Sequence, residues 1–295
     1  MRPRWRKVLL DLWEHKGRTA LVVLSIAVGV FSVGVIAGAY VIISNDMSAS
    51  YAANRPANLE IRMADFDQEL LTTVRNAQGI GQAEARRVFG MRVRPVGGTK
   101  WTSLDIVAVE DFEANRVNLL NPLAGVSRPG RQEVILERDV LQEFQIQVGQ
   151  MLAFELPDGS VETLRVVGVV QDPTTGADDF LSPPFAYVTV DTLPYLQQPE
   201  RFNRIYTTVA EREDDELHIR AVGAALKDKI EKAGTAVIRT RFSKTHEHPL
   251  ASTVNAILGI LGALGVLVVF LSSSLIANTL SALLNQHLRH IDTNV

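Results

Sequence analysis

The sequence predicts an α+β protein in which two transmembrane helices flank an extracytoplasmic mixed α/β domain with an inserted, mostly β lobe. Residues 19–45 and 249–288 contain no Asp, Glu, Lys or Arg, and each stretch exceeds the roughly 20 apolar residues that cross a bilayer as a helix. Residues 46–248 between them are rich in charged residues. Short alternating runs typical of strands are interspersed there with helical patterns.

The distribution of charge predicts how the chain is oriented in the membrane. Six basic and two acidic residues precede residue 19, whereas residues 46–248 carry 23 basic and 30 acidic residues, a net charge of −7. The positive-inside rule therefore places the N-terminus in the cytoplasm, residues 46–248 outside the cell (plasma) membrane, and Arg289 back in the cytoplasm. The acidic central segment makes nucleic acid an unexpected partner.

The first apolar stretch has an alternative interpretation as a cleaved signal peptide. Its small residues at 37–39 suit a cleavage site, but the apolar run is longer than a signal-peptide core of about 7–15 residues. We therefore expect a retained membrane anchor. Either alternative exports the central domain.

These patterns divide the chain into five segments. They are a cytoplasmic amphipathic segment (1–18), transmembrane helix 1 (19–45), the extracytoplasmic domain (46–248), transmembrane helix 2 and its extension (249–286), and a cytoplasmic end (287–295). Residues 1–18 are alternatively only a cytoplasmic extension of the first span. Loop signals at 121–122, 128–130 and 198–199 predict two lobes in the exported domain. One lobe joins residues 46–125 to 200–248, and the other is a β lobe, 126–199, inserted between them.

Within the exported domain, strands are predicted from period-two alternation and helices from a 3.6-residue period. The predicted strands are 58–63, 88–96, 102–109, 133–136, 151–156, 162–170, 185–190, 205–209 and 236–242, and the predicted helices are 67–76, 138–144 and 214–233. Gly97-Gly98 and Pro157-Asp158-Gly159 are turn signals. The apolar face of the last helix is predicted to contain Leu217, Val222, Leu226 and Ile230.

Motifs for enzymatic chemistry are absent from the sequence. It contains no phosphate-binding GxxxxGK[ST] loop, no GxSxG nucleophile motif and no HExxH zinc helix. The lack of cysteine also excludes thiol catalysis and Cys-ligated zinc. We therefore expect no catalytic residue, no cofactor and no enzymatic activity in this chain.

Two clusters resemble metal sites only loosely, and no metal site is predicted. His246 and His248 flank Glu247, but a solvated juxtamembrane loop explains them better. Asp172, Asp178 and Asp179 form an acidic loop of the kind that calcium prefers, but the spacing does not fit an EF-hand. A flexible surface loop is the better interpretation of these acidic residues.

Small residues in both predicted spans suggest that these helices pack against other helices. Close approach of two membrane helices requires small side chains at the contact. The candidate helix-packing residues are Gly34, Gly38, Gly259, Gly262 and Gly265.

Several segments of the chain resemble one known family. In order, they are DLW at 11–13 and LSIAVGV at 24–30; VILE at 134–137, VGQ at 148–150, LPDG at 156–159 and LRVVGVV at 164–170; and LIANTL at 275–280 with LRHI at 288–291. In these segments and their order the chain is similar to MacB/FtsX-like ABC transporter permeases. The resemblance covers the first span, the exported MacB-like core domain and the second span.

The resemblance implies a function in transport without enzymatic activity. Permeases of this type pair as homo- or heterodimers, and each meets a separate ABC ATPase subunit, whose ATP hydrolysis moves the exported domains. The second helix approaches the ATPase in the cytoplasm, which assigns that approach to Asn278, Gln286 and Arg289. The family continues with a coupling segment and two further spans, so we expect this chain to be a fragment, a truncated product or half of a split permease.

A different class of protein shares the same predicted topology. A two-span sensor or receptor also places an extracytoplasmic ligand-binding domain between two membrane helices, but needs a cytoplasmic output module that these residues do not contain. An anchored hydrolase would need a nucleophile or metal set, and none is recognisable. The permease is therefore the preferred interpretation and the sensor the alternative.

Overall fold

A computed structural model describes residue 13 and residues 16–174 and 184–292. The chain divides into two units, residues 1–46 with 251–295 and residues 47–250. The first unit contains most of helix α1 (Lys16–Ala53) and all of helix α5 (Ala251–Asp292). Ala27–Ala53 and Ala251–Leu271 are long and apolar enough to cross a membrane.

Helix α1 continues beyond the predicted end of the first span at residue 45. It reaches Ala53, and its last turns belong to the second unit, where the Tyr51 ring is 2% exposed. Burial of this ring outweighs the polar composition of residues 45–50, which suggested a helix end. The second unit therefore begins on a helix rather than in a loop.

The second unit contains ten strands and three further helices of at least seven residues among the residues that the structure describes. The strands are β1 (Leu59–Phe66), β2 (Ile80–Pro95), β3 (Thr102–Val109), β4 (Asn121–Gly125), β5 (Glu133–Glu137), β6 (Met151–Glu155), β7 (Val161–Gln171), β8 (Phe185–Thr189), β9 (Phe202–Val209) and β10 (Val237–Phe242). The helices are α2 (Gln68–Arg75), α3 (Arg138–Phe144) and α4 (Glu216–Lys232), and short 3-10 turns occupy Val190–Thr192 and Pro194–Leu196.

The first lobe is an antiparallel four-stranded sheet in the order β10-β1-β9-β2, with α2 and α4 packed against it. The chain order βαβ followed by βαβ is the split βαβ arrangement. Asp67 caps α2 and Asp215 caps α4, because each carboxylate accepts two backbone N–H groups of the first helical turn. The core of this lobe includes Leu59, Ile61, Leu71, Ile205 and Leu226.

The second lobe is a closed ring of six strands. Pairing runs β2-β3-β8-β5-β7-β6 and returns to β2 through Arg92↔Glu155 and Pro95↔Leu152. Closure removes exposed edges from this part of the sheet. The enclosed core includes Val93, Leu104, Leu136, Phe154, Leu164 and Val188. This lobe takes in β3 and the second half of β2 in addition to strands within 126–199.

Several local predictions differ from the structure. Strand β2 begins at Ile80 rather than residue 88, because its first half pairs with β9. The loop predicted at Asn121-Pro122 is strand β4, whose edge position beside β7 tolerates proline. Leu217, predicted on the apolar face of α4, is 80% exposed.

Gly223 takes a place on the buried face of α4 that sequence periodicity did not reveal. A Cβ at Gly223 would lie 2.6 Å from Phe242 Cε1 and 3.0 Å from Leu59 Cδ2. The helix therefore approaches β1 and β10 closely because this position has no side chain.

Candidate functional site: the helix junction

The candidate site is the helix junction, which we define as residues 51–58, where α1 enters the domain, together with residues 243–250, which lead to α5. Both segments belong to the second unit. The sheet brings them together because β1 follows the first segment, β10 precedes the second, and β1 pairs with β10 from Leu59↔Phe242. Residues far apart in sequence therefore meet at one end of the domain.

Asn58 connects the two segments of the junction. Its side chain is fully buried, and its Nδ2 donates to Ser243 O at 3.1 Å, Thr245 Oγ1 at 3.0 Å and Glu213 O at 3.1 Å. Its Oδ1 accepts the N–H of Val209 at 2.9 Å. A buried amide with this many partners fixes its neighbours in one arrangement, because any displacement leaves polar groups unsatisfied.

A ring contact joins the same two segments. The Tyr51 and His248 rings meet edge to face, with centroids 5.0 Å apart. His248 Nδ1 accepts the Leu250 N–H at 3.0 Å, and burial lowers the pKa of His248, against a smaller opposing effect of its hydrogen bond to the Pro173 backbone. Since Pro173 has no N–H, the ring donates to its carbonyl, and neutral His248 thus links the segment entering α5 to the residues that follow β7.

The chain after α1 is also fixed to the segment that precedes β4. Asn118 Oδ1 accepts the Ala57 N–H at 2.7 Å, and the Asn118 N–H donates to Arg55 O at 2.9 Å. The buried Arg86 guanidinium donates to Val117 O at 2.7 Å and to Asn118 O at 3.2 Å. These bonds hold the end of α1 on the domain.

Glu60 forms a charge cluster directly after the junction. Its carboxylate, 9% exposed, lies 3.0 Å from Arg62 Nε, 3.0 Å from Arg204 Nη1 and 3.2 Å from Arg241 Nη1. It thereby connects β1 to β9 and β10, its neighbours on either side. Burial raises the pKa of the adjacent Tyr206 to about 12, so this phenol stays neutral.

The structure separates the two histidines considered as metal ligands. His246 Nδ1 lies 2.7 Å from Asp214 Oδ2, whereas His248 packs on Tyr51. Ligand atoms of Glu213, Asp214 and His246 lie within 4.8 Å of one another, all on exposed residues. Exposed acidic groups of this kind commonly serve as surface hydrogen-bond partners.

The expectation of a surface loop at Asp172 is wrong. Asp172 is 9% exposed, and its Oδ2 accepts the Tyr187 hydroxyl at 2.7 Å. Tyr187 is itself buried, so the carboxylate is drawn inside by the need to satisfy a buried hydroxyl. Asp178 and Asp179 lie outside the described residues.

The five glycines predicted for helix packing have different surroundings. A Cβ at Gly265 would lie 3.4 Å from Ile36 Cδ1, so this glycine faces α1 of the same chain. Gly34, Gly38, Gly259 and Gly262 have no atom within 4 Å of such a Cβ among the residues described. Gly29 was not among the candidates, yet it is buried, with a Cβ position 3.1 Å from Val269 Cγ2. Asn278 is exposed on α5, and Gln286 and Arg289 lie in the same helix.

The sequence did not reveal the residues of the junction. Asn58 and Glu60 lie within one predicted strand and resemble ordinary polar positions of an alternating pattern. The available signal was an acidic residue between two large apolar residues of a predicted strand, Leu59 and Ile61, because a charge that becomes buried in a strand requires partners.

A protein-family model matches most of this sequence. The model for the MacB-like periplasmic core domain matches residues 19–225, which contain the first span, the barrel lobe and most of the split βαβ lobe. The chain belongs to the MacB-like periplasmic core domain family. It thus represents the periplasmic-type domain of the ABC transporter permease family, flanked by two apolar helices.

Three solved structures of low sequence identity are similar to this MacB-like chain. The extracellular domain of the noncanonic ABC-type transporter YknZ from Gram-positive bacteria is 12% identical over 62% of this chain and 100% of its own, with a TM-score of 0.43. The periplasmic region of MacB from Actinobacillus actinomycetemcomitans is 13% identical over 70% and 95%, with a TM-score of 0.41. A domain of a putative permease from Porphyromonas gingivalis is 10% identical over 65% and 90%, with a TM-score of 0.40. A comparison with curated protein sequences finds no match to this chain.

Proposed function

We propose that this chain is a membrane-spanning permease component of an ABC transporter of the MacB/FtsX type. In this proposal a separate ATPase subunit hydrolyses ATP, and the helices transmit the resulting movement to the exported domain. Residues 1–18 and 287–295 lie in the cytoplasm and residues 46–248 outside, as the charge distribution predicts. Family membership supports the transporter class.

The observation that carries this proposal is that Asn58, in the segment that follows α1, bonds to the segment that precedes α5. Asn58 lies five residues after α1 ends and bonds to Ser243 and Thr245, which precede α5. A displacement of either helix end therefore acts on β1 and β10 together rather than on a loose linker. Such a connection suits a domain that moves as one body.

Two partners are part of the proposal. A second permease would pack on the glycines whose Cβ positions have no neighbour within 4 Å in the described chain, Gly34, Gly38, Gly259 and Gly262. The ATPase subunit would meet the cytoplasmic approach of α5, which carries Asn278, Gln286 and Arg289. At 1.5 Å per residue, a helix of this length spans roughly 60 Å, about twice the hydrocarbon core of a bilayer.

Spin labelling of two copies of the chain tests whether ATP hydrolysis moves the exported domain. The natural chain lacks cysteine, so spin labels placed at Ile238→Cys, on the exposed face of β10, report only the distance between two copies. The chain is co-produced with an ABC ATPase subunit from the same genome and reconstituted in nanodiscs. We expect the distance distribution to change on ATP and vanadate addition. An unchanged distribution in a complex that hydrolyses ATP would contradict mechanical coupling, whereas a change on adding a small ligand without ATP would favour the sensor.

Crosslinking tests the pairing surface. Gly38→Cys should form disulfide-linked dimers in membranes, because this position is open, whereas Gly29→Cys should not, because Val269 covers it. Equal dimer yields from the two variants would count against pairing through the open glycines.

A further inference from the structure

One connection of the barrel lobe is bonded to the chain that follows α1. This β3–β4 connection, residues 110–120, joins β3, a strand of the closed ring, to β4, which pairs with β7. Two of its residues, Asn118 and Leu119, form three hydrogen bonds of 2.7, 2.9 and 2.8 Å with residues 54–57. The barrel lobe is therefore attached to the end of α1 directly, in addition to its attachment through the sheet.

Arg86 fixes the β3–β4 connection from its other side. Its side chain is buried, and its Nη2 donates to Val117 O at 2.7 Å, Asn118 O at 3.2 Å and Asn115 Oδ1 at 3.3 Å. The guanidinium also lies over the Tyr206 ring, 5.0 Å from its centroid. A buried cation that bonds to three oxygens of one connection holds it in one arrangement, because a shift would leave the charge unsatisfied.

Arg86 lies where β2 passes from the first lobe to the barrel lobe. It is opposite Arg204 of β9 on one side and opposite Val109 of β3 on the other. Two residues earlier, Glu84 Oε1 accepts the Val117 N–H at 3.1 Å, and Glu84 Oε2 lies 3.6 Å from Arg86 Nη2. Two side chains of the strand that both lobes share therefore hold the connection that is bonded to the end of α1.

We propose that Arg86 is a positioning residue that makes the barrel lobe follow the end of α1. Its hydrogen bonds go to the β3–β4 connection, so it acts on residues 54–57 through that connection. Lysine at this position would keep the charge but lacks the planar group that lies over Tyr206. The positioning stands without the proposed transport function, whereas its consequence for movement rests on that function.

Hydrogen exchange of the full chain in detergent tests the positioning. In Arg86→Lys the backbone amides of Ala57, Asn118 and Leu119 should exchange about tenfold faster, because the connection that pairs them with the end of α1 loses hydrogen bonds to a charged group. Arg86 donates to carbonyl and amide oxygens and to none of these three N–H groups. Unchanged exchange of Ala57 in folded Arg86→Lys would overturn the proposal.

Arg87→Lys is the matched control. Arg87 is likewise buried, but its Nη1 lies 3.0 Å from Asp65 Oδ2 and donates to Arg201 O at 3.1 Å, so this variant should leave the amide of Ala57 unaffected. Equal acceleration in both arginine variants would contradict a specific role of Arg86. Glu84→Ala, which removes the acceptor of the Val117 N–H, should also accelerate exchange of Ala57. If Arg86→Lys does not fold, unchanged exchange in Glu84→Ala would overturn the proposal instead.

Spin labels test the consequence for movement. A label at Val161→Cys, exposed on β7, reports the distance between the barrel lobes of two copies, as Ile238→Cys does for the first lobes. In the complex with the ATPase subunit, ATP and vanadate should change both distances in the natural background. In the Arg86→Lys background the change at Ile238→Cys should persist and most of the change at Val161→Cys should be lost.

The two labels separate failure of this inference from failure of the proposed function. Equal changes at both positions in the Arg86→Lys background would overturn the role of Arg86 in movement. Constant distances at both positions in the natural background would overturn the proposed function and this consequence of it, and the exchange of Ala57 would still decide the positioning.

Discussion

The Tyr51 ring packs edge-on against the His248 ring at an interplanar angle of 68°, joining the last turns of α1 to the segment that enters α5. These residues are 197 positions apart, yet both are almost fully buried within one unit of the structure. The segment that follows α1 and the segment that precedes α5 therefore pack against each other. Side-chain packing couples these two segments in addition to the chain that connects them.

Replacing Tyr51 should therefore loosen the junction. Tyr51→Ala removes a buried aromatic ring, and we expect a loss of about 3 kcal/mol in unfolding free energy because the cavity cannot collapse fully. Thermal unfolding of the full chain in detergent measures the loss. Tyr40→Ala, which removes a ring of the same helix that is 45% exposed, should change the melting temperature much less. Equal losses from both variants would refute a special role for Tyr51.

Asn58 provides a second prediction. Asn58→Ala leaves the Val209 N–H and the Glu213 and Ser243 carbonyls without their side-chain partner, which should cost about 2–4 kcal/mol. Asn58→Asp should be equally harmful, since a carboxylate keeps the Val209 bond but cannot donate. Asn76→Ala, at an exposed helix end, serves as the control. Protease sensitivity after residue 243 should rise in both Asn58 variants, and an unaltered cleavage pattern would contradict the assignment.

The charge cluster around Glu60 gives a third prediction, since three arginine side chains lie within 3.2 Å of its carboxylate. Glu60→Gln should destabilise the domain by about 3 kcal/mol, because the mostly buried Arg204 guanidinium then faces a neutral amide in place of a carboxylate. Glu155→Gln breaks a more exposed pair with Arg92 and should cost less than about 1 kcal/mol. The difference between the two variants, measured by thermal unfolding, is the test. A smaller effect at residue 60 than at residue 155 would be inconsistent with the cluster.

Close approach of α4 to the sheet gives a fourth prediction. Gly223→Ala places a methyl group 2.6 Å from the Phe242 ring, so overpacking should cost about 1–3 kcal/mol even though alanine favours helices. Phe242→Leu in the same chain should recover part of the loss by vacating that space. A Gly223→Ala variant as stable as the natural chain would show that the helix shifts freely on the sheet.

Local signals in the sequence determined much of the architecture. Two long charge-free stretches predicted the apolar helices, and alternation predicted strands such as β3 and β8 within one residue of their ends. The 3.6-residue period predicted α2 and α4 within two residues of their ends, since helical periodicity depends only on nearby residues. The family resemblance rested on short segments of the sequence, such as 24–30 and 164–170, and the family model confirms it.

Only the tertiary structure decided which polar residues are buried and which partners they bond to. Asn58 meets Thr245 across 187 positions, and Glu60 meets Arg204 across 144, distances at which no periodic pattern carries information. The sequence also did not predict β4, which is a strand because it pairs with the distant β7. It did not predict the burial of Asp172, whose carboxylate accepts a hydrogen bond from the buried Tyr187 hydroxyl. Secondary structure follows from hydrogen bonds and side-chain spacing within a few residues. The partners of a buried polar group follow from how the whole sheet closes.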